Sequence, residues 1–297
     1  MATPQPGGGS AGGPTALRML LGAHLRRLRE AQGVTRADAG WEIRASESKI
    51  SRLELGRVSF KERDVEDLLS LYNVDDDDER QQLLVLAREA NTPGWWHRFG
   101  DVLPSWFQSY LGLEATAALI RTYELQFVPG LLQTKEYARA VVLLGYGHIS
   151  PQEVERRVEL RASRQKLLKR AEPAKLWAVV DESALRRPLG GRAVMRAQLK
   201  HLLEQAKRPN VRLQVIPFHS GGHSAAGGAF TVLRFPDQEL PDVVYIEHLN
   251  SALYLDKRDD VDLYVAAMES LCVQAETPDR TPEIIEGILK ELDAEGD

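Results

Sequence analysis

Six polar side chains lie within one short span: Ser46, Glu47, Ser48, Lys49, Ser51 and Arg52. Their types and spacing suit contact with a nucleic acid. Short hydroxyls let a backbone come close to base edges. A lysine such as Lys49 can reach a guanine or a phosphate. Arg52, with Arg36 upstream and Arg57 downstream, can hold phosphates, which fixes register without reading sequence. Glu47 is the exception, because phosphates repel it. It fits only by accepting from a cytosine amino group or by pairing with Arg44 or Lys49.

The stretch that must position these groups, Thr35 to Arg57, reads as two short helices with a tight turn between them. Thr35 can cap the first, and Asp38 three residues on has the spacing of a capping box. Ala39, Gly40 and Ile43 give that helix a small apolar inner face. Ser46 can cap the second, with Glu47 at its positive N-terminal end. Ile50 and Leu53 point inward, which leaves Ser48, Lys49, Ser51 and Arg52 outside. Gly56 is the expected stop.

This pattern resembles the helix-turn-helix of the phage-repressor, or xenobiotic-response-element (XRE), type of bacterial regulator. Arg36 stands where the first residue of that motif, usually Gln, would be. Gly40 takes the small-residue slot where the helices cross. Ser46 to Glu54 track the family's S-x-S-x-I-S-R-x-E run. Two positions depart from it. Arg44 occupies the turn glycine, and Glu47 stands where Gln usually reads a base. The resemblance implies a recognition helix whose N-terminal residues enter the major groove of double-stranded DNA.

Net charge over the chain is −5, which taken alone disfavours a DNA partner. Residues 1–57, however, hold nine Lys and Arg against five Asp and Glu, so the remainder carries −9. A basic head on an acidic body permits local phosphate contact while limiting non-specific association. No run approaches the ~18 apolar residues of a membrane span. No signal peptide is expected, and the single Cys272 excludes an intrachain disulfide or a cysteine zinc site. A cytoplasmic, nucleoid-associated protein with no membrane partner is expected.

Residues 1–14 are rich in Gly, Pro and Ser and read as a disordered tail. Leu17, Leu20, Leu21, Leu25 and Leu28 then mark an amphipathic helix, and Val65, Leu68, Leu69 and Tyr72 mark another. The DNA-binding domain is placed at 15–74. A helical, aromatic connector follows at 75–112. Its cluster of Trp95, Trp96, Phe99, Trp106, Phe107 and Tyr110 reads as docking the junction between domains or covering a core, or else as part of a pocket or partner surface.

From 113 to 297 a regulatory and dimerisation domain is expected. Its opening, with Tyr123, Glu124 and the run Pro129 to Ala138 (PGLLQTKEYA), resembles the C-terminal domain of an actinobacterial group of antitoxin-like regulators. That resemblance implies a regulator, and a small partner protein encoded nearby. Pro129 and Gly130 are read as breaking one helix, and Thr134 as capping the next, through about Leu144. Ser150 and Pro151 start a longer helix to about Arg170, whose basic residues form a solvated face or a second DNA contact. A strand at 176–181, a helix at 192–206 and a strand at 211–217 form a βαβ unit. Short strands at 230–235, 243–248 and 253–255 and closing helices at 259–274 and 282–293 complete it.

The expected fold is therefore a mainly α, five-helix, phage-repressor-like helix-turn-helix domain. An α+β (or α/β) C-terminal domain with one small mixed sheet follows it. His219, His223 and His248 with Asp181, Glu182 and Glu247 match no metal or acid–base motif, and the Gly-rich loop at 219–228 lacks a P-loop's Lys and Ser/Thr. No cofactor, metal or catalytic residue is expected. One helical module buries only about 600–1,000 Å² on DNA, so a homodimer on a near-palindrome is expected. An interaction protein that neutralises a small partner and regulates its own promoter is the alternative.

Overall fold

The computed structural model describes residues 14–145, 149–225, 227–236 and 240–294. The tail expected over 1–14 thus lies almost wholly outside the described residues. The chain divides into two compact units. One comprises Met1–His97 with Gln108–Thr116 and Asp237–Leu240, the other Arg98–Phe107 with Ala117–Pro236 and Pro241–Asp297.

The first unit is helical. It holds α1 (Pro14–Ala31), α2 (Arg36–Glu42), α3 (Glu47–Glu54), α4 (Glu62–Leu71) and α5 (Asp77–Ala90). Their apolar stripes meet in one core in which Leu21, Leu25, Ile50, Leu69 and Tyr72 are almost fully buried. α5 joins that core through Leu83, Leu84 and Ala87. Asp76 caps α5 by accepting from the Glu79 amide, and Asp77, Asp78 and Glu79 fill its first turn. This is the placement the helix dipole favours.

The second unit is built on a single six-stranded mixed sheet, in the order β3-β2-β1-β4-β5-β6. The strands are β1 (Leu119–Glu124), β2 (Lys175–Asp181), β3 (Val211–Ile216), β4 (Phe230–Arg234), β5 (Val243–Glu247) and β6 (Ala252–Leu255). β1, β2 and β3 run parallel, and β4, β5 and β6 add as an antiparallel meander. The expected βαβ unit is present as β2, α10 (Arg192–Ala206) and β3. The remaining helices are α6 (Ser105–Thr116), which holds residues of both units, then α7 (Lys135–Gly145), α8 (Pro151–Arg164), α9 (Glu182–Arg186), α11 (Arg258–Gln274) and α12 (Thr281–Ala294). No described helix is long and apolar enough to cross a membrane.

Two expectations need correction. No helix runs into Pro129 and Gly130 to be broken there. α6 ends at Thr116, and Leu119–Glu124 turns into the central strand of the sheet. Ile120, Thr122 and Tyr123 are β-branched or aromatic, and all three are buried between neighbouring strands. The helix begun at Ser150 stops at Arg164 rather than Arg170, and a 3-10 turn over Gln165–Leu168 follows.

The PGLLQTKEYA run proves to be internal scaffolding. Leu131, Leu132, Gln133, Tyr137 and Ala138 are buried. The Gln133 amide donates to the Val128 carbonyl at 2.8 Å, and the Tyr137 hydroxyl accepts from the Val128 amide at 3.2 Å. Gln198 on α10 donates to the Leu132 carbonyl and accepts from the Thr134 amide. The run thus satisfies the polar groups of a buried turn, as burial demands.

Candidate nucleic-acid interface

The turn between α2 and α3 sets the geometry of this site. Thr35 caps α2, its hydroxyl oxygen accepting from the Asp38 amide at 3.1 Å, and Ser46 caps α3 by accepting from the Lys49 amide at 3.2 Å. Between them Arg44 takes the turn in the left-handed region, with φ at 54°. Non-glycine residues enter that region rarely and at a cost. Gly40 lets the helices close: a Cβ there would stand 2.8 Å from the Ala45 carbonyl oxygen. Gly56, at φ 63°, ends α3 as expected.

On α3, Ile50 and Leu53 face the core. Ser46, Glu47, Ser48 and Arg52 are exposed, Ser51 is half-buried, and Arg57 is exposed just beyond the helix. The Arg52 guanidinium folds back along its own helix, Nε donating to the Ser48 carbonyl at 3.3 Å. Glu47 makes no ion pair with Arg44 or Lys49. Lys49 instead binds Asp64 on α4, at 2.7 Å. Its ammonium reaches a base or phosphate only by leaving that carboxylate. Arg36 likewise donates to Glu54 at 3.0 Å, its side chain 37% exposed.

Glu54, Arg29 and Asp64 had no assigned role. Glu54, at the end of α3, has a side chain only 4% exposed. One carboxylate oxygen accepts from Arg29 Nε on α1 at 2.5 Å, the other from Arg36 Nε on α2 and from Arg29 Nη2. One buried carboxylate therefore joins α1, α2 and α3. Its hydrogen bond raises the Arg29 pKa above the ordinary guanidinium value. Burial, with the charge of Glu54, raises that of the Tyr72 hydroxyl. The only signal in the sequence was the terminal Glu of the S-x-S-x-I-S-R-x-E run.

The second unit does not gather the histidines and acids considered for metal or acid–base chemistry. Asp181 caps α9, and Glu182 accepts from the Phe218 amide and Arg186. His223 pairs with the Tyr123 hydroxyl at 2.9 Å, and His219 lies 3.8 Å from Glu276. Among the described residues no group of His, Cys, Asp and Glu could hold a metal ion. The basic residues of α8 are largely engaged within the unit. Arg156 pairs with Asp101 and Arg157 with Glu153, while Arg164 stacks over Phe107. Glu124, at the end of β1, has a carboxyl surrounded by protein. Burial and the charge of Glu247 push its pKa up to about 7, against the pull of Arg164 and Arg161.

Comparison with known proteins agrees with this division. Residues 20–83 match a family model described as a helix-turn-helix domain. Residues 107–287 match one described as a domain of unknown function (DUF5753). No curated protein and no solved structure matches the chain. The first match covers α2, the Arg44 turn and α3, and the second covers the whole sheet and spans more than half of the chain. The chain carries an N-terminal helix-turn-helix domain and belongs to the DUF5753 family.

Proposed function

We propose that the protein is a sequence-specific transcriptional regulator of the XRE type, acting without catalysis of its own at the nucleoid. The observation that carries this reading is the face of α3. It is capped at Ser46, set against α2 by the tight turn, and presents Glu47, Ser48 and Arg52 to solvent. In this reading Ser46, Glu47, Ser48 and Ser51 meet base edges, and Glu47 accepts from a cytosine amino group. Arg52 and Arg57 hold phosphates, while Arg36 and Lys49 join them by exchanging one partner. A homodimer would place two recognition helices about 34 Å apart on a near-palindrome. The C-terminal unit would then supply dimerisation and sensing of an effector or of a small partner protein encoded nearby. An effector shifts DNA affinity only if it binds the two states of the protein unequally.

The test is fluorescence anisotropy on the protein's own promoter DNA, titrated against salt, with a Lys49→Ala/Arg52→Ala control. Tight, salt-sensitive binding lost in the double variant supports the regulator. Absence of specific binding favours an interaction protein, which co-purification with the product of a neighbouring small reading frame would then identify.

A further inference from the structure

One row across the sheet carries positive charge that no carboxylate balances. Arg121 on β1, Trp177 on β2 and Arg212 on β3 are register partners and stand side by side. Both guanidiniums lie over the Trp177 ring, Arg121 at 5.0 Å and Arg212 at 4.3 Å. Arg212 is exposed to solvent, whereas Arg121 is only 8% exposed. Among the described residues no carboxylate pairs with Arg121, and its Nε is buried with no acceptor. The ring answers the charge, but it offers Nε–H no oxygen or nitrogen. A buried donor left in this way costs free energy.

α11 brings the chain's one thiol to this row. Trp177 Nε1 donates to the Gln214 side-chain oxygen at 2.7 Å, and the Gln214 amide donates to the Cys272 carbonyl at 3.1 Å. Cys272 is half-buried. Burial pushes its thiol up, and Glu269 on the same helix adds to the rise. The charge and hydrogen bond of Arg121 and the charge of Arg212 oppose it. A neutral thiol makes poor use of two guanidiniums. An oxidised sulfur carries an oxygen, a far stronger acceptor, and is anionic once ionised.

We propose that Cys272 is a site of reversible oxidation by hydrogen peroxide, its sulfenate held by the Arg121 guanidinium. The thiolate attacks one peroxide oxygen. An S–O bond forms, the O–O bond breaks, and the departing hydroxide takes a proton to leave as water. Sulfur gives up two electrons and the peroxide takes them. No second cysteine exists to close a disulfide within the chain, so Arg121 is what preserves the product. An added thiol restores Cys272 through a mixed disulfide. Because burial keeps the thiol protonated, the reaction is slow, and the site answers sustained exposure rather than a brief one. Any effect on DNA rests on the regulator reading above. Oxidation itself is measured without DNA, so the two ideas fail separately.

The experiment treats the full chain with hydrogen peroxide and follows intact mass and trapping by dimedone, with Cys272→Ser as the blank. The expected product has gained one oxygen, reacts with dimedone, and returns to the parent mass with dithiothreitol. Arg121→Gln removes the charge and should shorten the lifetime of that product about tenfold, the scale of one charge-assisted hydrogen bond, while Arg121→Lys should retain most of it. Circular dichroism checks that each variant folds. Should the Arg121 variants fail to fold, Arg212→Gln, at an exposed position, should shorten the lifetime about twofold, the scale of an exposed charge. Absence of oxygen gain at Cys272 overturns the proposal. So does passage to a more oxidised product without a trappable one-oxygen stage, or an unchanged lifetime in the charge-removing variant that folds. Oxidation without promoter binding would leave the site standing and remove the regulator.

Discussion

Replacing Glu54 by Ala should cripple the helix-turn-helix without touching any side chain proposed to meet DNA bases. The carboxylate is 4% exposed and receives Arg29, itself only 8% exposed, together with Arg36. Removing it strands the Arg29 guanidinium away from water, and breaking a buried pair from one side typically costs about 3–5 kcal/mol. Arg29 keeps the Val34 carbonyl at 2.9 Å and a weaker contact to Glu30 at 3.3 Å. Arg36 is more than a third exposed and contributes little. The lower end, about 3 kcal/mol, is therefore expected. In a unit of this size that lowers the melting temperature by roughly 12–24 °C. Differential scanning calorimetry of the full chain reads this as a displaced transition, and DNA binding at low temperature reads the surviving folded fraction. The pair should also obey a cycle: Arg29→Met with Glu54→Leu should recover most of the loss, because both charges then vanish together. A Glu54→Ala variant within about 1 kcal/mol of the parent, or a double variant no better than the single, would refute the reasoning.

Arg52→Ala should weaken binding to all DNA sequences alike and reduce the salt slope by about one; an unchanged slope removes Arg52 from the phosphate contacts. Glu47→Gln should alter the preferred base more than the overall affinity, which selection from a randomised operator pool would reveal. Asp64→Ala should free Lys49 and strengthen DNA binding most at low salt, and equal affinities across a salt series would contradict the exchange of partners proposed for it. Glu124→Gln tests the buried carboxyl. Folding raises its pKa from 4.5 to about 7, so its stabilising contribution is complete below about pH 4.5 and is lost as pH rises to about 7. The gap corresponds to roughly 2–4 kcal/mol. The Gln variant should match the parent near pH 4.5 in urea melts and exceed it by that margin at pH 8, and a difference independent of pH would exclude the titration.

The α2–α3 hairpin was legible in the sequence because everything that defines it is local. Thr35 and Ser46 cap within three residues, Ile50 and Leu53 share one face, and Gly40 and Gly56 mark the crossing and the stop. The engagement of Lys49 and Arg36 was not legible. Their partners, Asp64 and Glu54, lie 15 and 18 residues away and come close only once the helices pack. β1 was hidden for the same reason. Its residues carry apolar groups at spacings that suit a helix face as well as a strand, and only β2 and β4 on its two edges decide between them.

The position of β1 also has a consequence for biosynthesis. Its parallel partner begins at Lys175 and its antiparallel partner only at Phe230. At translation rates of about 5–20 residues per second, its second edge stays open for roughly 5–20 s after Glu124 is made. The helical contacts of residues 14–90 are near in sequence and need no such wait. Nascent chains should therefore pass through an interval in which the DNA-binding head can already assemble while the family domain still presents an unpaired apolar strand. That strand is the segment a chaperone would protect first.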